Sequence, residues 1–590
     1  MLYGDWGTSK AYVIGFAFSS SFAIAHYQSL PIILAVCALT ALVAYNYVIV
    51  CKHFPDGGGV YSAARNQSRF LAVMGALLLV ANFTVTAAMS GWAAMSYFRV
   101  PYEHIRIATI ALILLVCLIN YFGPKHSGSV AVFLAIPMVI VVIAIIALSV
   151  PFLTTANLEP AAPSVKQNWL AFVGMILALS GVEAIANLTG VMKLDPGATL
   201  EEPRVTTTAR NSIFPVAVEV VVGTSLLGWA MLSLPREQYQ SLLQARWQDM
   251  LSVLGEAYAS IVFNAPIGKA FGVVVGIVVG LLLLSAVNTA VAALIGLTYM
   301  LARDGEMPKP FTRLNSFGVP KWPLVVAILL PVLVVAFASD LESLMGLYAI
   351  GVIGAITVNL GVCTFNKALN LQWFERGTMG MTFLLLFLIE LTIAKTKSDA
   401  LFFACCVLLA GFGLRSYAQK RAGLRTLTLS QEVAAHVAPE SMHNFKFSLD
   451  IGQTVLVAAR GVTPVLGFAL EEARLRKGNL YVLYVKELAV ALTGPVELAE
   501  RPRWQEDRTA AEIMCTMLEQ GRKNEVSVIP IYIVSEDPAA TILDLSATLG
   551  IDILILGASH RRAMISLLKG NVVTQVARDL PENIQLVIYG

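Results

Sequence analysis

Apolar residues run in long unbroken stretches through the first two thirds of this chain and in short alternating blocks near its end. About twelve stretches, at 6–26, 29–51, 70–98, 104–122, 129–153, 168–191, 211–234, 268–300, 323–339, 343–365, 379–396 and 399–415, approach or exceed the roughly 20 residues with which a helix crosses about 30 Å of hydrocarbon. Beyond Arg415 the pattern changes. Residues 416–452 are polar and hold no spanning run, with a short amphipathic stretch at SQEVAAHV. After them strand-like segments (TVLVAAR, NLYVLYV, VSVIPIYIV, IDILILG, IQLVIY) alternate with helical ones at 463–476, 507–522, 538–549 and 571–579, the pattern of a doubly wound parallel sheet. The expected organisation is a membrane unit over 1–415, a linker over 416–452 and a soluble α/β domain over 453–590.

Two of the spans are interrupted by polar and small residues: the first by GDWGTS at 4–9, the sixth by LSGVEAIANLTG at 179–190. Backbone that leaves helical form inside a bilayer must line a cavity or be buried in protein, because lipid cannot satisfy its N–H and C=O groups. The first and sixth spans occupy matching places if ten spans form two halves of five, and paired breaks of this kind point to a midplane site in a secondary transporter. Asp5 and Glu183 would each cost roughly 2–4 kcal/mol or more in lipid, so both are expected to face a polar pathway. With the hydroxyls of Thr8, Ser9, Tyr12 and Ser180 they make a hard oxygen site suited to a dehydrated cation or an ammonium group. Glu183, with few basic partners evident in the sequence, is the candidate for exchanging a proton. Asn82, Thr84 and Asn187 are weaker candidates, as are Asn288 and Thr289, for which a hydrogen bond between helices is an equally common role. Glu219 and Glu390 are set outside the site.

Composition agrees with a polytopic membrane protein: 57% of the 590 residues are hydrophobic and 13% charged, against roughly half and a quarter in soluble domains. A net charge of +3 gives no footprint for nucleic acid. Lys and Arg instead gather in alternate loops, at 52–69, 124–126, 193–210, 303–321 and 366–376, which places these loops and the C-terminal domain on the cytoplasmic side of an inner membrane. The seven cysteines lie mostly inside apolar runs and never in C-x-x-C spacing, so neither a disulfide framework nor a metal site is implied. No catalytic triad, phosphate loop or metal cluster supports an enzyme. No secretory signal precedes the first span, and with four residues ahead of Asp5 the start leaves open an upstream half-helix.

FPDGGGVYSAARNQ at 54–67, the GVEAIAN break, NTAVAALIGLTYMLARDGEMPKPF at 288–311 and LYAIGVIGA at 347–355 resemble the amino acid–polyamine–organocation superfamily. The resemblance implies about twelve transmembrane helices with a LeuT-like 5+5 inverted repeat. Within the superfamily, YGDWGTSKAY resembles the first-span signature of KUP/HAK-type potassium uptake proteins, and the spacing of Asp5, Thr8, Ser9 and Tyr12 is similar to the Kim-type potassium importers. It implies cation binding at Asp5, Tyr12, Ser180 and Glu183, with uptake driven by protons. Two departures stand out. The third span offers Asn82, Thr84 and Thr86 where the Kim-type importers carry an aspartate, and Lys10 stands where KUP proteins have proline. A fixed ammonium near the site would repel potassium by several kcal/mol at low effective dielectric. Lys10 lies on a different helix face from Tyr12, however, where snorkelling or a salt bridge is expected.

The end of the chain, from IDILILG onward, resembles universal stress proteins. Of that family's G-x2-G-x9-G-[ST] motif, Gly557 and Gly570 keep the spacing, while His560 replaces the second glycine and Asn571 the hydroxyl; the first-strand aspartate is also absent. The departures count against ATP, while a regulatory nucleotide, AMP or ATP or a cyclic dinucleotide, stays open. The rim of His560, Arg561, Arg562 and Lys569 suits a phosphate-bearing messenger such as a cyclic dinucleotide, and a domain that serves as a homodimer contact is the alternative. The function expected is potassium import with protons under control of this domain. The rivals are an amino acid or amine permease and a membrane receptor that binds without translocating.

Overall fold

A computed structural model describes residues 7–18, 26–55, 59–65, 67–123, 127–159, 164–176, 194–198, 204–421, 454–476, 478–488, 503–535, 537–549, 551–557, 572–580 and 584–589. The membrane unit runs α1 (Ser9–Phe16), α2 (Leu30–His53), α3 (Val60–Arg65), α4 (Arg69–Tyr97), α5 (Tyr102–Tyr121), α6 (Ser127–Ser149), α7 (Val165–Ile176), α8 (Thr206–Ser233), α9 (Arg236–Ala245), α10 (Met250–Val262), α11 (Ala265–Arg303), α12 (Lys321–Phe337), α13 (Leu341–Phe365), α14 (Trp373–Thr396) and α15 (Ser398–Arg421). Among the described residues nine helices are long and apolar enough to cross a membrane, and α12 is a shorter apolar one. The helices α1 and α7 are the described parts of the first and sixth runs. Ser180, Glu183 and Asn187 lie outside the described residues, as does Asp5.

Helix ends follow local chemistry. Ser68 accepts from the Leu71 N–H at the start of α4, Asn264 from the Ile267 N–H at the start of α11, and Asp340 and Ser343 form a reciprocal capping box at the start of α13. Gly305 closes α11 with φ of +76°, a conformation that costs glycine little. Pro137, Pro215 and Pro331 sit inside α6, α8 and α12, as membrane helices tolerate where neighbours re-satisfy the freed backbone groups. Outward faces of α5 and α6 expose Ile107, Leu115, Leu118, Ile136 and Ile140, an apolar band that a water-soluble surface would not carry.

The centre of the bundle is α4, packed against α11 and α13, with α8 against α2. Small residues let these helices approach closely. A Cβ at Gly351 of α13 would stand 2.9 Å from the Asn82 backbone nitrogen, and one at Gly272 of α11 would stand 2.8 Å from Glu256 Cβ of α10.

The C-terminal domain is built from β1 (Val455–Ala458), α16 (Pro464–Leu475), β2 (Leu480–Glu487), α17 (Arg508–Lys523), β3 (Val528–Ser535), α18 (Pro538–Thr548), β4 (Ile553–Gly557), α19 (Val572–Asp579) and β5 (Gln585–Tyr589). Its five strands are parallel in the order β3-β2-β1-β4-β5, with Val455 opposite both Leu480 and Ile553. Two apolar clusters form, one holding Val455, Val457, Val465 and Ile513, the other Leu456, Ile542, Leu554 and Val576. Successive strand residues project to opposite faces, so both faces are covered, as near-continuous apolar strands require.

Candidate substrate site

Helix α1 is buried along its whole length, and four neighbours hold it. The Tyr12 hydroxyl is 2.9 Å from Ser90 Oγ of α4. Tyr97, at the far end of α4, donates to the Ala11 carbonyl at 3.2 Å. Gly15 abuts the Trp247 carbonyl so closely that a Cβ would overlap it. Lys10 reaches α8, where its ammonium lies 2.7 and 2.6 Å from the two oxygens of Glu219. Thr8 and Ser9 precede these contacts and are buried as well.

On α4 the residues Asn82, Thr86 and Ser90 recur every fourth position and so share a face. Thr86 donates to the Asn82 carbonyl at 2.8 Å, and Ser90 carries the stripe on to Tyr12. Thr84 is fully buried, and its hydroxyl has no hydrogen-bond partner among the described residues. The LYAIGVIGA stretch backs this stripe through the contact of Gly351 with Asn82. Asn288 and Thr289 are engaged elsewhere: Asn120 of α5 donates to Asn288 Oδ1 at 2.7 Å, and Thr289 donates to the Ser285 carbonyl of its own helix at 3.0 Å. The first bond joins two helices and the second stays within one. A cavity of about 10 Å³ between α1, α2 and α8 is lined by Ser9, Thr40 and Thr224 with Val13, Val36 and Val220, about the space one water needs.

Ion pairs close the bundle at both ends. At one, Arg246 pairs with Asp249 and, at 3.1 Å, with Glu256, which also pairs with Arg99 at 3.1 Å. This ties the cap formed by α9, the 3-10 turn Trp247–Asp249 and α10 to the end of α4. Burial pushes the Asp249 carboxyl above its ordinary value, against the pull of Arg246 and Arg99. At the other end two of the quoted motifs meet. Tyr61 of YSAAR donates to Asp304 of RDGEMPKPF at 2.7 Å, with Arg65 at 3.4 Å, and Arg415 of α15 pairs with Glu306. Next to α8, desolvation raises the Asp195 carboxyl, but the N–H groups of Thr207 and Thr208 and the Thr208 hydroxyl outweigh it and hold the group below its ordinary value.

Glu219, set outside the site on sequence grounds, is the partner of the Lys10 charge on the first helix. Ser90 was also missed, although its i+4 spacing from Thr86 was a usable signal. Lys10 is salt-bridged and not snorkelling: its side chain is buried and its ammonium meets the Glu219 carboxylate.

The amino acid permease family profile matches residues 7–412. The chain belongs to the amino acid permease family. This permease carries a C-terminal universal stress protein domain, matched over residues 453–587. It is 24% identical over 518 residues, 81% of this chain and 76% of the other, to the potassium transporter KimA of Bacillus subtilis strain 168. Among solved structures, a universal stress protein in complex with cAMP matches 23% of this chain and 95% of its own at 16% identity and a TM-score of 0.18. A universal stress protein from Archaeoglobus fulgidus matches 23% and 93% at 21% identity and the same TM-score.

In the C-terminal domain the strand order reverses between β1 and β4, the topological switch point at which doubly wound sheets bind ligands. Gly557 ends β4 there. Arg460, just past β1, lies 3.6 Å from Glu487 at the end of β2. His560, Arg561, Arg562, Lys569, Gly570 and Asn571 lie outside the described residues.

Proposed function

We propose that this permease is a secondary transporter that imports potassium together with protons across the inner membrane. The observation that carries the reading is the Lys10–Glu219 pair. Lys10 is the residue that most opposes a potassium site on the first helix, and with both Glu219 oxygens within 2.7 Å its charge is compensated by a carboxylate. The charges that remain in the site expected from the sequence are then the carboxylates of Asp5 and Glu183, which favour a cation. The likeness to a protein named a potassium transporter points the same way. Glu183 is assigned the exchange of a proton in each cycle, and the gathering of Lys and Arg in alternate loops supports a cytoplasmic position for the stress protein domain.

That domain, over 453–590 after the linker 416–452, is assigned a regulatory part in which a phosphate-bearing nucleotide at the Gly557 end of the sheet changes flux, or a second copy docks on it as a homodimer. A ligand there acts only by binding two transporter states differently, typically by about 1–3 kcal/mol. The second reading, an amino acid or amine carrier, is favoured by the family itself. Asp5→Asn and Glu183→Gln test the site: each should abolish most rubidium uptake while inserting normally. Uptake at the unaltered rate in both would remove the site.

A further inference from the structure

Lys10 sits on the helix that the potassium reading makes the ion's own, between Ser9 and Tyr12, and its side chain is 0% exposed. The α8 face that receives it is shaped for it: four residues on from Glu219, Gly223 lies on the same face, and a Cβ there would come within 3.2 Å of Lys10 Cδ. The carboxylate takes the ammonium and the glycine makes room for the stem. A buried charge left alone in such a place is far more costly than a matched pair.

We propose that Lys10 and Glu219 act as an internal compensated pair that positions α1 and sets the affinity of the permease for its cation. Lys10 keeps the Glu219 carboxylate from trapping a cation, and Glu219 keeps the Lys10 ammonium from repelling one. The inference rests on the potassium reading. It assigns opposite effects to the two partners, which a merely structural contact would not produce. As a general rule, an uncompensated unit charge within about 10 Å of an ion, at an effective dielectric of about 20, shifts affinity by on the order of tenfold or more.

The test is rubidium uptake by the full chain in proteoliposomes, with KM and maximal rate measured separately, for Lys10→Met, Glu219→Gln and the double variant. Lys10→Met should lower KM about tenfold and slow turnover, because the bare carboxylate holds the ion. Glu219→Gln should raise KM about tenfold or more. The double variant should return KM to within about threefold of the parent. Singles that move KM in the same direction, or not at all, would overturn the proposal. If a single variant is not recovered folded, the double decides: it should melt near the parent and carry rubidium with near-parental KM, and a double that fails as the single does overturns the pair. A parent that carries amino acids and no rubidium would defeat the potassium reading instead. The pair would then stand or fall on thermal melting, with both singles below the parent and the double restored.

Discussion

Replacing Gly351 by alanine tests how tightly α13 is seated on the polar stripe of α4. The new Cβ would lie 2.9 Å from the Asn82 nitrogen, 3.1 Å from its Cα and 3.2 Å from the Leu78 carbonyl. All three atoms are backbone, so no side chain can rotate aside, and reaching ordinary contact at 3.4 Å requires the two helices to part by about 0.5 Å. Overpacking of this kind costs about 1–3 kcal/mol, while removing a glycine from a helix interior returns roughly 0.5–1 kcal/mol. The expected net loss is therefore about 0–2.5 kcal/mol. Gly377→Ala in α14 is the matched control, since nothing lies within 4 Å of its Cβ, and only the helix gain remains. In detergent, Gly351→Ala should melt below the parent and Gly377→Ala at or above it. Because Asn82 begins the stripe that ends at Tyr12, the first variant should also slow uptake. If Gly351→Ala melts as high as Gly377→Ala and transports normally, the close seating of the two helices is wrong.

Three further outcomes are expected. Arg415→Met should cost about 3–5 kcal/mol by stranding Glu306, whose side chain is 4% exposed; changing Glu306 to Met as well should restore the melting temperature. Asp195→Ala should weaken the start of α8 by about 0.5–2 kcal/mol. The Asp195 carboxyl lies below its ordinary value in the folded chain, so its contribution is complete above the pH at which an unfolded aspartate titrates and is lost as pH falls through the folded value; the gap in melting temperature between parent and variant should close on acidification. Truncation after Lys420 should leave basal flux in place and remove any response to added nucleotide; a truncated protein that folds yet no longer binds substrate would make the domain part of the transport machinery.

The spans were legible because each is a long apolar run: the stretches expected at 70–98 and 343–365 are the helices Arg69–Tyr97 and Leu341–Phe365. The sheet was legible for the same kind of reason, its strands being short apolar blocks between helical ones, so that IDILILG became Ile553–Gly557 and IQLVIY became Gln585–Tyr589. Three short helices were harder to see. α3, α9 and α10 have 6, 10 and 13 residues, too few for a spanning run, and they take their stability from docking on longer helices. The Lys10–Glu219 contact joins positions 209 apart, and no periodicity along one helix encodes a bond between two. The unlike charges of Lys10 and Glu219, both within apolar runs, were the available hint, since intramembrane charges usually find one another.

On the potassium reading proposed above, the first-helix site takes a bare monovalent cation. Its most direct test is counterflow into proteoliposomes containing the parent protein, with an imposed proton gradient and rubidium, potassium and a panel of amino acids and amines as competing substrates. Rubidium should accumulate, potassium should displace it, collapse of the proton gradient should slow it, and no amino acid should compete. Accumulation of an amino acid, with rubidium uptake no greater than in empty vesicles, would contradict the account.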